Sequence, residues 1–152
     1  MEESILTFVG KWAIINSPFV KEVKVMVRGI EGVNLFSENA KKLADFYKEK
    51  VGLKTSIEAE MGENGEEVYG FEFGEGAGLN IIDHSKVKGR NSQPKRIMFN
   101  LEVSRIEEEV ERLDKAGVKK IQDTYHVEGY GYIATFEDAD GNYFQLVQVR
   151  ES

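Results

Sequence analysis

The feature that most constrains this chain is that it repeats itself. Residues 71–83, FEFGEGAGLNIID, have the layout of residues 136–148, FEDADGNYFQLVQ. Phe71 matches Phe136, Glu72 matches Glu137, Gly76 matches Gly141 and Asn80 matches Gln145, all at an offset of 65. Further upstream, Asn34 and Leu35 match Asn100 and Leu101 at an offset of 66. A helix-like stretch follows each of these pairs, the first ending at Gly52 and the second at Gly117. The period is too long for a solenoid unit, and two copies imply a pseudo-symmetric domain instead of an array.

The later copy shows what the unit is made of. Phe136, Phe144, Leu146 and Val147 are aromatic, aliphatic or β-branched, as pleated half-buried positions prefer. Asp138, Asp140, Gly141 and Asn142 between them supply turn chemistry: Asx side chains that bond nearby backbone, and a residue tolerant of positive φ. Strand, tight turn and strand follow. In the earlier copy, residues 53–60 and 67–73 read as strands around the MGENGE turn, and residues 79–82 close the set. Between the first strand and these lies a helix near residues 39–51. Asn39 is its expected N-cap, and Gly52 suits the left-handed position after its end. In the second copy Ser104 and Glu107 have the S-x-x-E form of a capping box. Ile106, Val110 and Leu113 form the apolar stripe of that helix, near residues 105–116. Each copy is thus strand–helix–strand–strand–strand. The fold class is α+β, two βαβββ modules in one pseudo-symmetric domain.

This reading sets the domain plan. Residues 1–28 are an N-terminal extension, and residues 29–152 form the repeated domain, with modules at 29–83 and 96–149 and a linker at 84–95. Ile5, Phe8, Val9, Trp12 and Ile15 fall at helical spacing, which predicts a short amphipathic helix within residues 3–16. Val23, Val25 and Val27 alternate with Lys24 and Met26, which predicts a strand. The extension is a packing arm, a dimer contact or a lid. The linker carries Lys86, Lys88, Arg90 and Lys95 and no acid, so it is a solvated connector or a basic rim.

Charge and composition then exclude several functions. The 152 residues carry 27 acids and 20 bases, a net charge of -7, which opposes nucleic-acid binding because that needs a basic face. There is no cysteine, so there is neither a disulfide scaffold nor a thiolate site. The opening MEESILTFVGKWAIIN is acidic and interrupted by Lys11, unlike a signal peptide or a spanning helix. The expectation is a cytoplasmic protein with no membrane partner. GEGAG precedes a strand instead of a helix and so is no phosphate loop. FEDADG lacks the later Glu of a calcium loop.

The segments ADFYKEKVGLK, ERLDKAGVKK and FEDADGNYFQLVQ together resemble the vicinal-oxygen-chelate superfamily. That group includes glyoxalases, extradiol dioxygenases, fosfomycin-modifying enzymes and bleomycin-binding proteins. The resemblance runs over residues 29–149 and implies two βαβββ modules related by a pseudo-twofold axis and jointly enclosing a cavity, often in homodimers. Metal-using members place His and Glu ligands on the first and last strands of each module. Carried over residue by residue, these positions are Gly32 and Met98, with Asn34 and Asn100 two residues on, and Asn80 and Gln145. None is a strong ligand, and divalent cations need anionic or imidazole donors to replace water. A one-residue slip brings up Val33, Leu35, Phe99 and Leu101. The expectation is therefore no metal and no cofactor.

What remains is four side-chain amides at repeat-equivalent positions. Either they bond one another or trapped water, or they present donors and acceptors to an organic ligand. The expected ligand-binding set is Asn34, Phe36, Asn80, Met98, Asn100, Glu102 and Gln145, with Phe36 and Met98 as apolar wall and Glu102 as the one charge. His84 and His126 read as loop or strand-end residues. The leading expectation is a metal-free small-molecule binder of the bleomycin-resistance type, acting as a homodimer because Trp12 and its aliphatic neighbours ask to be covered. The alternative is a glyoxalase-like lyase, isomerase or dioxygenase with a relocated site at Glu102, His126 or Asp83. A third class is an interaction domain whose cavity is filled by its own side chains.

Overall fold

The computed structural model describes residues 7–9, 11–13 and 26–151. Two short strands, β1 (Thr7–Val9) and β2 (Lys11–Ala13), pair antiparallel with Phe8 opposite Trp12. This corrects the helix expected within residues 3–16, whose other positions lie outside the described residues. Thr7, Phe8, Val9 and Trp12 are β-branched or aromatic and favour extended backbone. Apolar spacing over so short a run fits either period. Most of the strand expected at 23–27 also lies outside the described residues, and Met26 and Val27 are in no strand.

The first module comprises β3 (Gly32–Ser37), α1 (Ala40–Phe46) with a π-helical turn (Tyr47–Val51), β4 (Thr55–Met61), β5 (Glu66–Phe71) and β6 (Gly78–Asp83). The second comprises β7 (Phe99–Glu102), α2 (Ile106–Lys115), β8 (Lys120–Val127), β9 (Gly131–Glu137) and β10 (Tyr143–Gln148). Their sheets have equivalent orders, β3-β6-β5-β4 and β7-β10-β9-β8. In each, the first strand runs parallel to the last and the other pairings are antiparallel. The repeat is written into the registers. Phe71 faces Leu79 as Phe136 faces Phe144, and Asn34 neighbours Asn80 as Asn100 neighbours Gln145. The chain is two βαβββ modules, as the offset of 65 implies.

The helix ends show local chemistry succeeding once and failing once. Asn39 caps α1: its side chain accepts from the backbone N–H of Lys42 at 3.0 Å. Asp83 at the end of β6 accepts the N–H of Ala40 at 2.7 Å. Gly52 closes the π-helical turn at φ +89°, where a side chain is strained. The capping box at Ser104 and Glu107 is not formed. The N-cap is Arg105, which makes no side-chain cap. Instead Gln148 on β10 accepts the N–H of Ile106 at 2.9 Å. A residue distant in sequence thus does what the local motif suggested for Ser104. Replacing Gln148 with Ala is expected to cost about 1 kcal/mol, the usual value of a lost N-cap. Urea unfolding of the variant against wild type checks this, and a Ser104→Ala control is expected to change little.

Both sheets turn one face to a common core. Tyr47, Leu43, Phe71, Ile81, Leu113, Phe136 and Phe144 are its largest fully buried side chains apart from Ser37. The modules meet through rings: Tyr47 lies 5.6 Å from Phe144 and 6.1 Å from Phe99, and Phe144 stacks on both Phe99 and Phe136. On α2, Arg112 donates to the carbonyls of Lys50 at 2.8 Å and Val51 at 2.7 Å. It thereby satisfies carbonyls at the end of the π-helical turn that have few partners otherwise.

The linker is tied down over the β9–β10 turn. Asn91 donates its N–H to the Asp140 carbonyl at 2.8 Å, and Arg90 pairs with Glu137 and reaches the Ala139 carbonyl at 3.2 Å. Among the described residues no helix is long and apolar enough to cross a membrane.

Candidate functional site

Strand alternation assigns the sheet faces. Val33, Leu35, Leu79 and Ile81 belong to the core, so Gly32, Asn34, Phe36, Asn80 and Ile82 point outward. In the second sheet Phe99, Leu101, Phe144 and Leu146 are core, so Asn100, Glu102, Gln145 and Val147 point outward. The amides therefore lie on the sheet faces turned away from the shared core. They form two sets, one per module, and no hydrogen bond among the described residues joins the sets.

In module one, Asn80 donates through Nδ2 to Oδ1 of Asn34 at 3.1 Å. Glycines leave room for this pair. A Cβ at Gly70 would stand 3.2 Å from the Asn80 Oδ1, and one at Gly32 would stand 3.4 Å from its Nδ2. In module two the position equivalent to Gly70 is Thr135, and Gln145 donates to its Oγ1 at 3.0 Å. Asn100 donates to the Tyr130 hydroxyl at 3.4 Å.

Apolar side chains surround the amides without being buried. Phe36 is 45% exposed, with its ring edge-on to His84. Met98 is also half-exposed. Sequence reasoning missed the rest of this wall. Ile57 opposes Gly70 and Ala59 opposes Val68, which puts Ile57, Ala59 and Met61 outward on β4. Ile57 and Met61 are 53% and 58% exposed. The alternation in TSIEAEM carried the signal, but not which side was the core. Tyr125 opposes Ile133 and joins the corresponding face of the second sheet, 42% exposed.

Several charges near these faces are paired. Glu102 binds Arg150 through two contacts, at 2.5 and 2.9 Å, and Arg150 also reaches Glu75 at 3.2 Å. Glu137 is held by Lys119 at 2.9 Å and by Arg90, and these cations keep its carboxyl below the usual range. Asp83 accepts the N–H of Ala40 and of Glu67, so it serves the fold. His126 packs against Tyr132 at 4.8 Å, and His84 accepts the Lys86 N–H on Nδ1 at 3.1 Å.

Between the modules runs a cleft of about 740 Å³. Its walls are Val33, Leu79, Phe99, Leu101 and Leu146, and Arg112, Glu109, Arg150 and Glu75 stand around it. Of the expected site residues, Asn100 and Glu102 line this cleft, whereas Asn34, Phe36, Asn80, Met98 and Gln145 do not. Arg112 pairs with Glu109 and Arg150 with Glu102 and Glu75, so these guanidinium groups are already engaged.

The model of the Glyoxalase/Bleomycin resistance protein/Dioxygenase superfamily matches residues 29–146. The chain belongs to this superfamily. No curated protein matches it. Solved structures share the fold. A glyoxylase/bleomycin resistance protein/dioxygenase domain from Frankia sp. EAN1pec is 18% identical with a TM-score of 0.66, over 82% of this chain and 99% of that one. TnmS3, an antibiotic-binding protein from Streptomyces sp. CB03234, is 21% identical with a TM-score of 0.65, over 82% and 98%. A glyoxalase I mutant from Zea mays is 18% identical with a TM-score of 0.65, over 82% of this chain and 46% of its own.

A divalent metal of the kind glyoxalases use does not fit the residues present. Gly32 has no side chain, Met98 offers a thioether, and Asn80 and Gln145 offer neutral amides already hydrogen-bonded to Asn34 and Thr135. Among the described residues no three His, Cys, Asp or Glu side chains come together. Neutral amide oxygens alone do not offset dehydration of such an ion.

Proposed function

We propose that this glyoxalase/bleomycin-resistance family member is a cytoplasmic small-molecule-binding protein that uses no catalytic metal. The observation that carries this reading is the composition of the outward sheet faces. Each sets hydrogen-bonding amides beside half-exposed apolar side chains, at the positions where metal-using relatives hold their ligands. Apolar walls with a few placed polar groups are what organic ligands need. The antibiotic-binding relative from Streptomyces supports the same choice.

A single sheet face is open and cannot enclose a ligand. The exposed Phe36, Ile57, Met61 and Met98 suit burial against a second copy. The protein acts as a homodimer in which one copy's face covers the other's ligand. Sedimentation is expected to give twice the 17.2 kDa chain mass at micromolar concentration. A monomer would count against the assembly.

Two measurements test the binding reading. In a thermal-shift screen of organic compounds, hits are expected whose stabilisation is lost in Asn80→Ala and Phe36→Ala, because a ligand raises the melting temperature only through the folded state. Zn²⁺, Ni²⁺ or Mn²⁺ is expected to leave the wild-type melting temperature unchanged. Gly32→His with Asn80→Glu puts two strong donors side by side and is expected to create a metal-dependent rise. Near-stoichiometric transition metal bound by the wild type at these positions would overturn the reading.

A further inference from the structure

Where the linker runs into the second module lies a pocket of about 530 Å³, lined by Ser92, Gln93, Pro94, Lys95, Arg96 and Tyr143. Its linker side is fixed by hydrogen bonds. Asn91 grips the β9–β10 turn, donating its N–H to the Asp140 carbonyl at 2.8 Å and Nδ2 to Oδ1 of Asn142 at 3.0 Å. Its own Oδ1 accepts the Gln93 N–H at 2.9 Å. Gln93 then closes a turn: its carbonyl accepts the Arg96 N–H at 3.1 Å, and its Oε1 accepts from Arg96 Nη2 at 3.2 Å. The β9–β10 turn leads directly into Tyr143, the first residue of β10. Phe144 is core, so alternation sets Tyr143 outward together with Gln145. Two cations and an aromatic ring are thus brought to one place. Residues 84–96 carry five bases, Lys86, Lys88, Arg90, Lys95 and Arg96, and no acid. Glu137, opposite Tyr143 in the sheet, is held by Arg90 and Lys119. Among the described residues Lys95 and Arg96 make no salt bridge.

The geometry points to an anion site in this pocket, one that takes the phosphate of a small organic phosphomonoester and sets its apolar part against Tyr143 and Pro94. A phosphomonoester carries a charge of roughly -1.5 to -2 at neutral pH, which balances both cations, whereas a single carboxylate balances one. Arginine offers a planar fork that matches phosphate oxygens, and lysine a compact point charge. A guanidinium has more donors than the one bond to Gln93 uses, and the hydroxyls of Ser92 and Tyr143 can donate to further oxygens. The basic linker gives this corner a positive field although the whole chain is acidic. Because the hydrogen bonds of Asn91 and Gln93 already order the pocket wall, less ordering is left for binding to supply. The site stands apart from the amide faces: none of Asn34, Asn80, Asn100 and Gln145 lines it.

The test titrates phenyl phosphate, inorganic phosphate, benzoate and phenol into the full-length protein at neutral pH, read by calorimetry. Phenyl phosphate is expected to bind at least about fivefold tighter than each of the other three, because it alone offers both the double charge and the ring. Lys95→Gln and Arg96→Gln are each expected to weaken it at least about fivefold, since a charge-assisted hydrogen bond is lost. Lys115→Gln, on the exposed side of α2, is expected to change nothing. Tyr143→Leu is expected to close the gap between phenyl phosphate and inorganic phosphate. Raising the salt from about 0.01 to about 0.15 M is expected to weaken binding several-fold, as the screening length falls from about 30 to about 8 Å. Asn80→Ala is expected to leave phenyl phosphate affinity unchanged, so this site and the amide-face reading fail separately. Inorganic phosphate binding as tightly as phenyl phosphate would mean an adventitious ion only and overturn the proposal. So would phenol or benzoate binding as tightly, the absence of any phosphate binding by the wild type, or an affinity that ignores both Lys95→Gln and Arg96→Gln.

Discussion

Phe144→Ala is expected to lower stability by about 3–5 kcal/mol, the range for deleting a large buried aromatic side chain. Phe144 is fully buried and is the ring through which the modules meet. It stacks on Phe99 at 6.2 Å and Phe136 at 5.9 Å within its own sheet, and takes Tyr47 and Phe46 edge-on from the other module. The neighbours come from different strands and a helix, so the cavity cannot close by moving one side chain. Its repeat partner Leu79 is also buried but smaller, and Leu79→Ala is expected to cost less, about 2–4 kcal/mol. Urea unfolding of both variants against wild type gives the comparison. A Phe144→Ala loss smaller than that of Leu79→Ala would show that the modules are not held together at this ring.

Asp138→Ala is the second large effect, expected to cost about 3 kcal/mol. Asp138 is buried and accepts four hydrogen bonds. Its Oδ1 takes the backbone N–H groups of Asp140 and Asn142, both at 2.9 Å. Its Oδ2 takes the Tyr47 hydroxyl at 2.6 Å and Asn142 Nδ2 at 2.9 Å. Alanine leaves the Tyr47 hydroxyl buried without its acceptor and the turn without its brace. Tyr47→Phe removes one bond and is expected to cost less, about 2 kcal/mol. The two substitutions share a contact, so their losses are expected not to add.

The same pair sets a pH dependence. Burial pushes the Asp138 carboxyl above its ordinary value, against the opposing bonds from Tyr47 and Asn142. Apart from its hydrogen bonds, Asp138 therefore adds a proton-linked contribution that is fully present below the ordinary aspartate value and is lost as pH rises through the raised one. Burial first, and then the Asp138 charge, push the Tyr47 phenol well above its ordinary 10.0. Its contribution holds below pH 10 and falls away above it, because the unfolded chain gives up the proton first. Tyr69, raised by burial and by its bond to Glu67, stands at about 12 and adds to that fall. Each such tyrosine contributes up to about 1.4 kcal/mol per pH unit above its ordinary value. Unfolding free energies measured at several pH values above 10 are expected to drop more steeply for wild type than for Tyr47→Phe. Equal slopes would mean that Tyr47 ionises as freely in the folded protein as in the unfolded chain.

Much of this protein is determined by the sequence alone, wherever the deciding interaction is local or periodic. Asn39 caps its helix through a residue three positions on. Gly52 and Gly117 both sit at positive φ where a side chain is strained. The Asx turn at Asp138 forms within five residues. The offset of 65 reappears as the register in both sheets, because duplicated strands taken in the same order pair in the same way. The identities of Gly32, Asn80, Met98 and Gln145 are read off directly as well.

The tertiary structure decided the rest. Ser104 is locally a good cap, but Gln148 on β10 reaches the Ile106 N–H, and no local signal announces a partner 42 residues away. The apolar side of β4 looks like a core face in sequence. Ile57, Ala59 and Met61 face outward because α1 and its π-helical turn cover the other side of the sheet, where Lys48 of the turn meets Glu58 at 2.7 Å. Four amides at equivalent positions suggest one polar cluster, yet they lie as two sets on separate sheets. Tyr47, Phe99 and Phe144 join the modules through their helix-covered faces, and a packed aromatic core leaves the amide faces no way to turn inward. Strand alternation fixes which residues share a face, and only packing between modules selects which face is buried.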